Sequence, residues 1–259
     1  MTYVDQQGAF SLDAVYVLSV KTFSERITHI RSELARHQLD FEFVFDYDAD
    51  ELDRALVERT FEPGKLRAPH QSLVLKHAQA WRLALARGQQ RILILEDDVV
   101  LSERFEEGIQ RALAAARALA PGWLIFLGGA DTKVPNAFFL SDEPLFALPL
   151  PTAEGYITDA AAMQQRLDWM SRQRVARPAD HLINQIDHDC GIAQYWLRTP
   201  IVEQGSVFGM FTSKLDKNRL KHSAMYNRLR YHWNKFQRRR LRAWIVRLRA
   251  RLSGVSRRA

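Results

Sequence analysis

Three consecutive carboxylates, Glu96-Asp97-Asp98, directly follow the aliphatic run Ile92-Leu-Ile-Leu95. Such a run has the length and composition of a strand buried on both faces, which puts the acids at its carboxyl end. In open α/β sheets that edge is where ligands bind. Adjacent carboxylates repel one another, and a divalent cation with hard oxygen ligands relieves the repulsion. Bound Mn²⁺ or Mg²⁺ would in turn hold a nucleotide pyrophosphate and neutralise a phosphate leaving group. Alternate residues of an extended chain project to one side, so Glu96 and Asp98 are the expected metal-facing pair, with Asp97 in support. A solvated strand end is the other reading of the same triplet.

The elements that must position these acids follow from hydrophobic periodicity. Asp13-Ala-Val-Tyr-Val-Leu-Ser-Val20 reads as a first buried strand, followed by Thr22-Phe-Ser-Glu25 as a capping box for a helix carrying Ile27, Ile30 and Leu34. Phe41 to Phe45 reads as a second strand, and a helix is expected from about Ser72 until Gly88 stops it. Ser102 is the expected cap of an Ala-rich helix, and Gly122-Trp-Leu-Ile-Phe-Leu127 returns as a strand. From Asn136 to Ile157 the pattern changes to shorter extended segments, before helices near Asp159–Arg172 and His181–Ile186. Strand–helix alternation with short links predicts an α/β domain with a largely parallel sheet.

Charge divides the chain of 259 residues. Residues 214–259 hold 16 Lys and Arg against one acid, Asp216, leaving 21 bases and 29 acids in residues 1–213. An acidic body, residues 1–213, is therefore followed by a basic tail, residues 214–259, and the net charge of +7 belongs to the tail. Tyr226, Leu229, Trp233 and Phe236 recur in the tail at helical spacing, as do Trp244, Ile245, Leu248 and Leu252, with Arg228, Lys235, Arg239, Arg242 and Arg249 opposite. That pattern suits a helix lying on an anionic membrane surface and is too charged to span a bilayer. Its direction drifts past Arg238-Arg-Arg240, which predicts a kink or two shorter helices. Binding to nucleic acid is the rival use of the tail, but it leaves the acidic body unexplained. The lone Cys190 excludes a disulfide framework and suits a reducing compartment, so the expected place is the cytoplasm, at the inner face of the membrane.

Several stretches, in chain order, resemble the bacterial lipooligosaccharide glycosyltransferases of family 25. They are Val17-Leu-Ser-Val-Lys-Thr-Phe-Ser-Glu-Arg26, Leu75-Lys-His-Ala-Gln-Ala-Trp81, Ile92-Leu-Ile-Leu-Glu-Asp-Asp-Val99, Thr152-Ala-Glu-Gly-Tyr-Ile-Thr158 and Pro178-Ala-Asp-His-Leu182. The similarity covers about residues 13–210. The resemblance implies a GT-A-like (Rossmann-like) single domain and metal-dependent, inverting transfer of a hexose, commonly galactose, from a UDP-sugar. Its acceptor would be a lipid-linked lipooligosaccharide or another cell-surface glycan. Two departures stand out: Lys76 replaces the family's usual Ser before His77, and Asp46-Tyr-Asp-Ala-Asp50 replaces a small-residue and Gly turn. A metal-dependent nucleotidyltransferase could use the same strand-end acids, but Val17 to Arg26 contains no glycine for a phosphate loop.

Inverting transfer needs a base for the acceptor hydroxyl. The Pro-x-Asp resemblance implies Asp180, which could equally cap the next helix. The resemblance also raises His77 to a catalytic candidate, although its helix face with Trp81 suits a packed histidine. Lys21 and Arg26 are candidates for nucleotide phosphates, or simply solvated bases. Tyr156 is a candidate for the acceptor side or the core. His181 is a candidate for a supporting donor or metal ligand, or for a helix-surface histidine. Gly128-Gly129 gives a weak phosphate signal that is also an ordinary strand end.

Overall fold

The computed structural model describes residues 11–129, 132–150, 152–208, 210–211 and 224–252. The elements begin β1 (Ala14–Leu18), α1 (Ser24–Arg36), β2 (Glu42–Val44), α2 (Arg54–Thr60), α3 (Ala68–Ala86), β3 (Arg91–Glu96), β4 (Val99–Leu101), α4 (Phe105–Ala116) and β5 (Trp123–Phe126). They continue α5 (Asn136–Leu140), β6 (Leu145–Ala147), β7 (Gly155–Asp159), α6 (Ala160–Arg172), α7 (Ala179–Cys190), β8 (Ala193–Leu197), β9 (Val202–Gln204), α8 (Ala224–Lys235) and α9 (Arg242–Leu252).

Seven strands form one sheet in the order β2-β1-β3-β7-β5-β8-β6. β1 runs parallel to β2 and β3, and β5 runs parallel to β8, while β7 and β6 pair antiparallel to their neighbours. Five of the seven strands thus share one direction, as the alternation of strands and helices predicts for an α/β fold. β4 and β9 form a separate antiparallel ribbon beyond the end of β3.

Side-chain alternation divides the core. Val15, Val17, Leu93, Leu95 and Ile125 pack on one face with Ile30 and Leu34 of α1 and Ile109 and Leu113 of α4. Tyr16, Leu18, Ile92, Ile94, Leu124 and Phe126 pack on the other with Ala78 and Trp81 of α3 and Met163 of α6. Strands with both faces covered read as continuous apolar runs for this reason. Under α6 the Arg166 guanidinium, wholly buried, makes a fork of 2.7 and 2.9 Å bonds to Asp187.

Several local expectations are corrected. Helix α1 starts at Ser24 with Phe23 as its cap and no capping side chain, because the chain turns through a Phe23 N–H bond to Val20 O. Helix α3 begins a turn earlier than expected, since Pro69 in its first turn needs no N–H partner. Ser102 does not cap α4; its Oγ accepts from Arg104 N–H in a turn just before the helix. Within the stretch expected to be extended, Pro135 introduces the short helix α5, which buries Phe138 and Phe139.

The basic tail is helical over its described part; residues 214–223 and 253–259 lie outside the described residues. A π-helical segment, Phe236–Leu241, joins α8 to α9 at the place where the stripe drifts. A wider turn rotates the following stripe relative to the preceding one. Tyr231 and Val246 are buried, Arg239 lies 4.0 Å from the Trp196 ring, and Arg242 bonds Asn136 Oδ1 at 3.0 Å. Tyr226, Leu229, Trp233, Phe236, Trp244 and Leu252 remain exposed. Among the described residues no helix is long and apolar enough to cross a membrane.

Candidate active site

A cavity of about 330 Å³ opens at the carboxyl ends of β1 and β3. The chain goes from β1 outward to β2 and then returns to place β3 on β1's other side, so the cavity lies at a switch in strand order. Leu18 of β1 is in register with Glu96 of β3. Ser19, Thr22 and Phe23 line the cavity from the β1–α1 turn, Arg26 lines it from the first turn of α1, and Ser72 and Lys76 line it from α3. Glu96, Asp97 and Asp98 line it from the end of β3, and Gln204 and Ser206 from β9 and the turn after it.

The three acids have different surroundings. Asp97 is buried, accepting from Ser19 Oγ at 2.7 Å and from Arg26 Nη1 at 2.9 Å. Burial raises its pKa, and Arg26 and Ser19 partly offset the rise. Glu96 is pushed well above the ordinary carboxylate range, first by burial and then by the charges of Asp98, Glu154 and Asp97. Its Oε2 has only a long bond, 3.4 Å, from Gln204. Asp98 lies 3.9 Å from Arg26 through Oδ2, while its buried Oδ1 has no hydrogen-bond partner. Gly205 N–H donates to the Asp98 carbonyl at 2.7 Å, and a Cβ at Gly205 would stand 2.6 Å from that oxygen. Only glycine permits this approach, which fixes the backbone of Asp98 against the β9 turn.

An acidic pair in which the buried Asp98 Oδ1 has no hydrogen-bond partner among the described residues suits a cation. Among the described residues no three His, Cys, Asp or Glu side chains are grouped to hold a metal ion by themselves. Glu96 and Asp98 are the residues that could hold a cation here, and two carboxylates leave most of its coordination to be supplied from outside the protein.

Of the candidates read from the sequence, Arg26, Glu96, Asp97 and Asp98 come together in the cavity. The others do not line it. His77 is 1 % exposed, with Nδ1 bonded to Tyr156 OH at 2.9 Å, and burial pushes its pKa down to about 3. Tyr156 is fully buried in β7 and also accepts from Trp81 Nε1 at 3.2 Å. Both stand as core residues, as their apolar neighbours dictate. Lys21 is exposed and ion-paired to Glu51, and its backbone N–H donates to Asp48 at 3.0 Å. Asp180 lies in the first turn of α7, where Pro178 is the cap; its carboxylate accepts from His181 N–H and acts electrostatically on His70, beside cavity-lining Pro69. The side chain of His181 is exposed. The Gly128-Gly129 backbone serves the fold rather than a phosphate: Gly129 N–H donates to Glu154 at 2.8 Å, and Gly128 O accepts from Trp196 Nε1 at 2.6 Å.

Sequence reasoning missed Lys76 as a site residue, although it marked the position as unusual. It also missed Gln204 and Ser206, which no local pattern distinguishes.

Residues 12–131 match the family described as glycosyltransferase family 25 (LPS biosynthesis protein). The chain is 35 % identical over 99 residues to the lacto-N-neotetraose biosynthesis glycosyltransferase LgtB of Neisseria meningitidis serogroup B, covering 36 % of this chain and 35 % of that relative. It thus spans about a third of the length of that curated relative. Solved structures of distant overall similarity include the galactosyltransferase LgtC in complex with donor and acceptor sugar analogs, with TM-score 0.40 and 8 % identity over 87 % of this chain and 96 % of that one. Another is the inositol-1-phosphate CTP transferase from T. maritima, with TM-score 0.37 and 9 % identity over 81 % and 96 % of the two chains.

Proposed function

From the match of residues 12–131 to glycosyltransferase family 25, we propose that this protein transfers a hexose from a nucleotide sugar to a cell-surface glycan. The observation that carries the reading is the family match together with the carboxylate-lined cavity inside the matched region. UDP-galactose is the proposed donor, a lipooligosaccharide the proposed acceptor, and inversion at the anomeric carbon the proposed outcome.

In this reading Asp98 and Glu96 hold Mn²⁺ or Mg²⁺. When bound, the ion would neutralise charge on the donor's diphosphate. Asp97 holds Arg26 in place through the 2.9 Å ion pair, which leaves that guanidinium at the cavity wall to meet a phosphate oxygen. Phe23 and the β1–α1 turn supply the apolar and backbone surface against which a base and ribose would rest. Asp180 is the proposed base for the acceptor hydroxyl; its charge acts on His70, next in sequence to the cavity-lining Pro69. The exposed aromatic stripe of α8 and α9, flanked by arginines, would hold the enzyme on an anionic membrane surface where a lipid-linked acceptor resides.

The test is transfer by the purified full chain from a panel of nucleotide sugars, with Mn²⁺, with Mg²⁺ and with EDTA. Turnover of UDP-galactose in the presence of metal is the expected result. Absence of transfer and of nucleotide-sugar binding across the whole panel would overturn the reading.

A further inference from the structure

A second cavity, of about 650 Å³, lies between α9 and the segment that carries α5 and the end of β8. It shares no lining residue with the carboxylate cavity. Among the described residues five arginines line it, Arg198, Arg239, Arg240, Arg247 and Arg251, and no acidic residue does. The bonds that fix these arginines go largely to backbone carbonyls. Arg198 donates to Glu143 O at 2.6 Å and Phe138 O at 2.5 Å, Arg247 to Phe139 O at 3.2 Å, and Arg239 to Gly129 O at 3.1 Å.

A carbonyl satisfies a donor without cancelling its charge, so the cavity holds concentrated positive charge. Asp142 and Glu143 reach Arg198 only as more distant charges, and Arg247 opposes them. Among the described residues nothing hydrogen-bonds the buried Nη2 of Arg198. Leaving a charged group in that state is costly, and the charge of an anion in the cavity would offset part of the cost. Burial also lowers the Arg198 pKa, another mark of a cation short of countercharge.

The rim identifies the anion's source. Trp244 and Leu248 line the same cavity while remaining exposed, on the same helix as the exposed Leu252. A free phosphate would meet the arginines alone; a phospholipid would place its phosphate among them and its glycerol and acyl chains along Trp244 and Leu248. We propose that this cavity binds the phosphate of an anionic phospholipid headgroup, with Arg198, Arg240, Arg247 and Arg251 as the anion's partners. The inference deepens the membrane reading of the tail and adds a defined headgroup site to it.

Calorimetric titration of the full chain tests it in the absence of any membrane. The ligands are short-chain phosphatidylglycerol below its micelle concentration, short-chain phosphatidylcholine and inorganic phosphate. Phosphatidylglycerol should bind at least about tenfold more tightly than either of the others. R240A/R251A, two exposed positions, should weaken that binding by at least about tenfold relative to R230A/R249A, which removes the same charge outside the cavity. Equal weakening by the two pairs would reduce the effect to general charge and overturn the site. Inorganic phosphate binding as tightly as phosphatidylglycerol would overturn the lipid as its source. Sedimentation with phosphatidylcholine vesicles, with and without phosphatidylglycerol, separates this site from the wider reading. Wild-type protein that binds phosphatidylglycerol-containing vesicles but shows no phosphatidylglycerol binding in the titration leaves the membrane reading standing and removes the site.

Discussion

The buried Lys76 ammonium of α3 donates to the Asp48 carboxylate at 2.7 Å, and the same ammonium donates to the Asp46 carbonyl at 2.7 Å. Asp48 also accepts from the Lys21 N–H, which fixes the loop after β2 against the β1–α1 turn. The two places where the sequence departs from the pattern it resembles therefore supply the two halves of one ion pair. A lysine in place of a small serine needs a carboxylate opposite it, and the acidic loop supplies one. Tyr47, at φ 63°, adopts the left-handed region that turns the chain between Asp46 and Asp48.

Removing one partner of this pair strands a buried charge. Lys76→Met alone should lower stability by about 3–5 kcal/mol, whereas Lys76→Met combined with Asp48→Asn should cost clearly less. Urea denaturation of Lys76→Met, of Asp48→Asn and of the double variant decides it. A double variant as unstable as the sum of the single ones would show that the pair is not coupled.

His77 provides a pH signature. Its pKa in the folded chain, about 3, lies below the ordinary value of 6.5, so the unfolded chain binds more protons between those limits. Stability from this group is complete above pH 6.5 and is lost as pH falls toward 3. Between pH 7 and pH 5 the loss is about 2 kcal/mol. His77→Phe should flatten the pH dependence of the urea midpoint by about that amount, and an unchanged slope would contradict the neutral, buried assignment.

Asp98→Asn removes charge from the cavity with little change in volume. Sugar transfer should fall by at least about a hundredfold with the urea midpoint nearly unchanged, and the stabilisation of wild-type protein by Mn²⁺ in thermal unfolding should disappear. Wild-type turnover that is indifferent to EDTA would remove the metal from the reading.

For Asp180, the expected effect of Asn is a fall of about 10²–10⁴-fold in kcat with donor binding retained. Turnover within a few-fold of wild type would reduce Asp180 to a first-turn carboxylate favoured by the dipole of α7.

Trp233 and Trp244 are 59 % and 63 % exposed. Replacing both with Ser should lower binding to phosphatidylglycerol-containing vesicles about tenfold or more while leaving the fold intact. Undiminished co-sedimentation would mean that charge alone holds the tail there.

What the sequence by itself determined is what local periodicity encodes. The doubly buried strands β1, β3 and β5 appear as aliphatic runs because both their faces are covered, and the acids appear at a strand end because charge cannot continue into that core. Arg26 falls at the cavity because it lies in the first turn of α1, which follows β1 after a short turn. The tail's amphipathic stripe and its break at Arg238–Arg240 were likewise legible, since both are features of spacing along one helix. Tertiary structure decided the rest. His77 and Tyr156 are chemically suited to a site, and only the packing of α3 on β7 turns them toward each other inside the core. Gln204 and Ser206 reach the acids across more than a hundred residues because β9 pairs with β4, an event to which no local pattern is sensitive. The pairing of Lys76 with Asp48 and the gathering of five arginines under α9 have the same origin. Charge spacing gives the composition of a surface, but the partner of each charge is fixed by which elements close against one another.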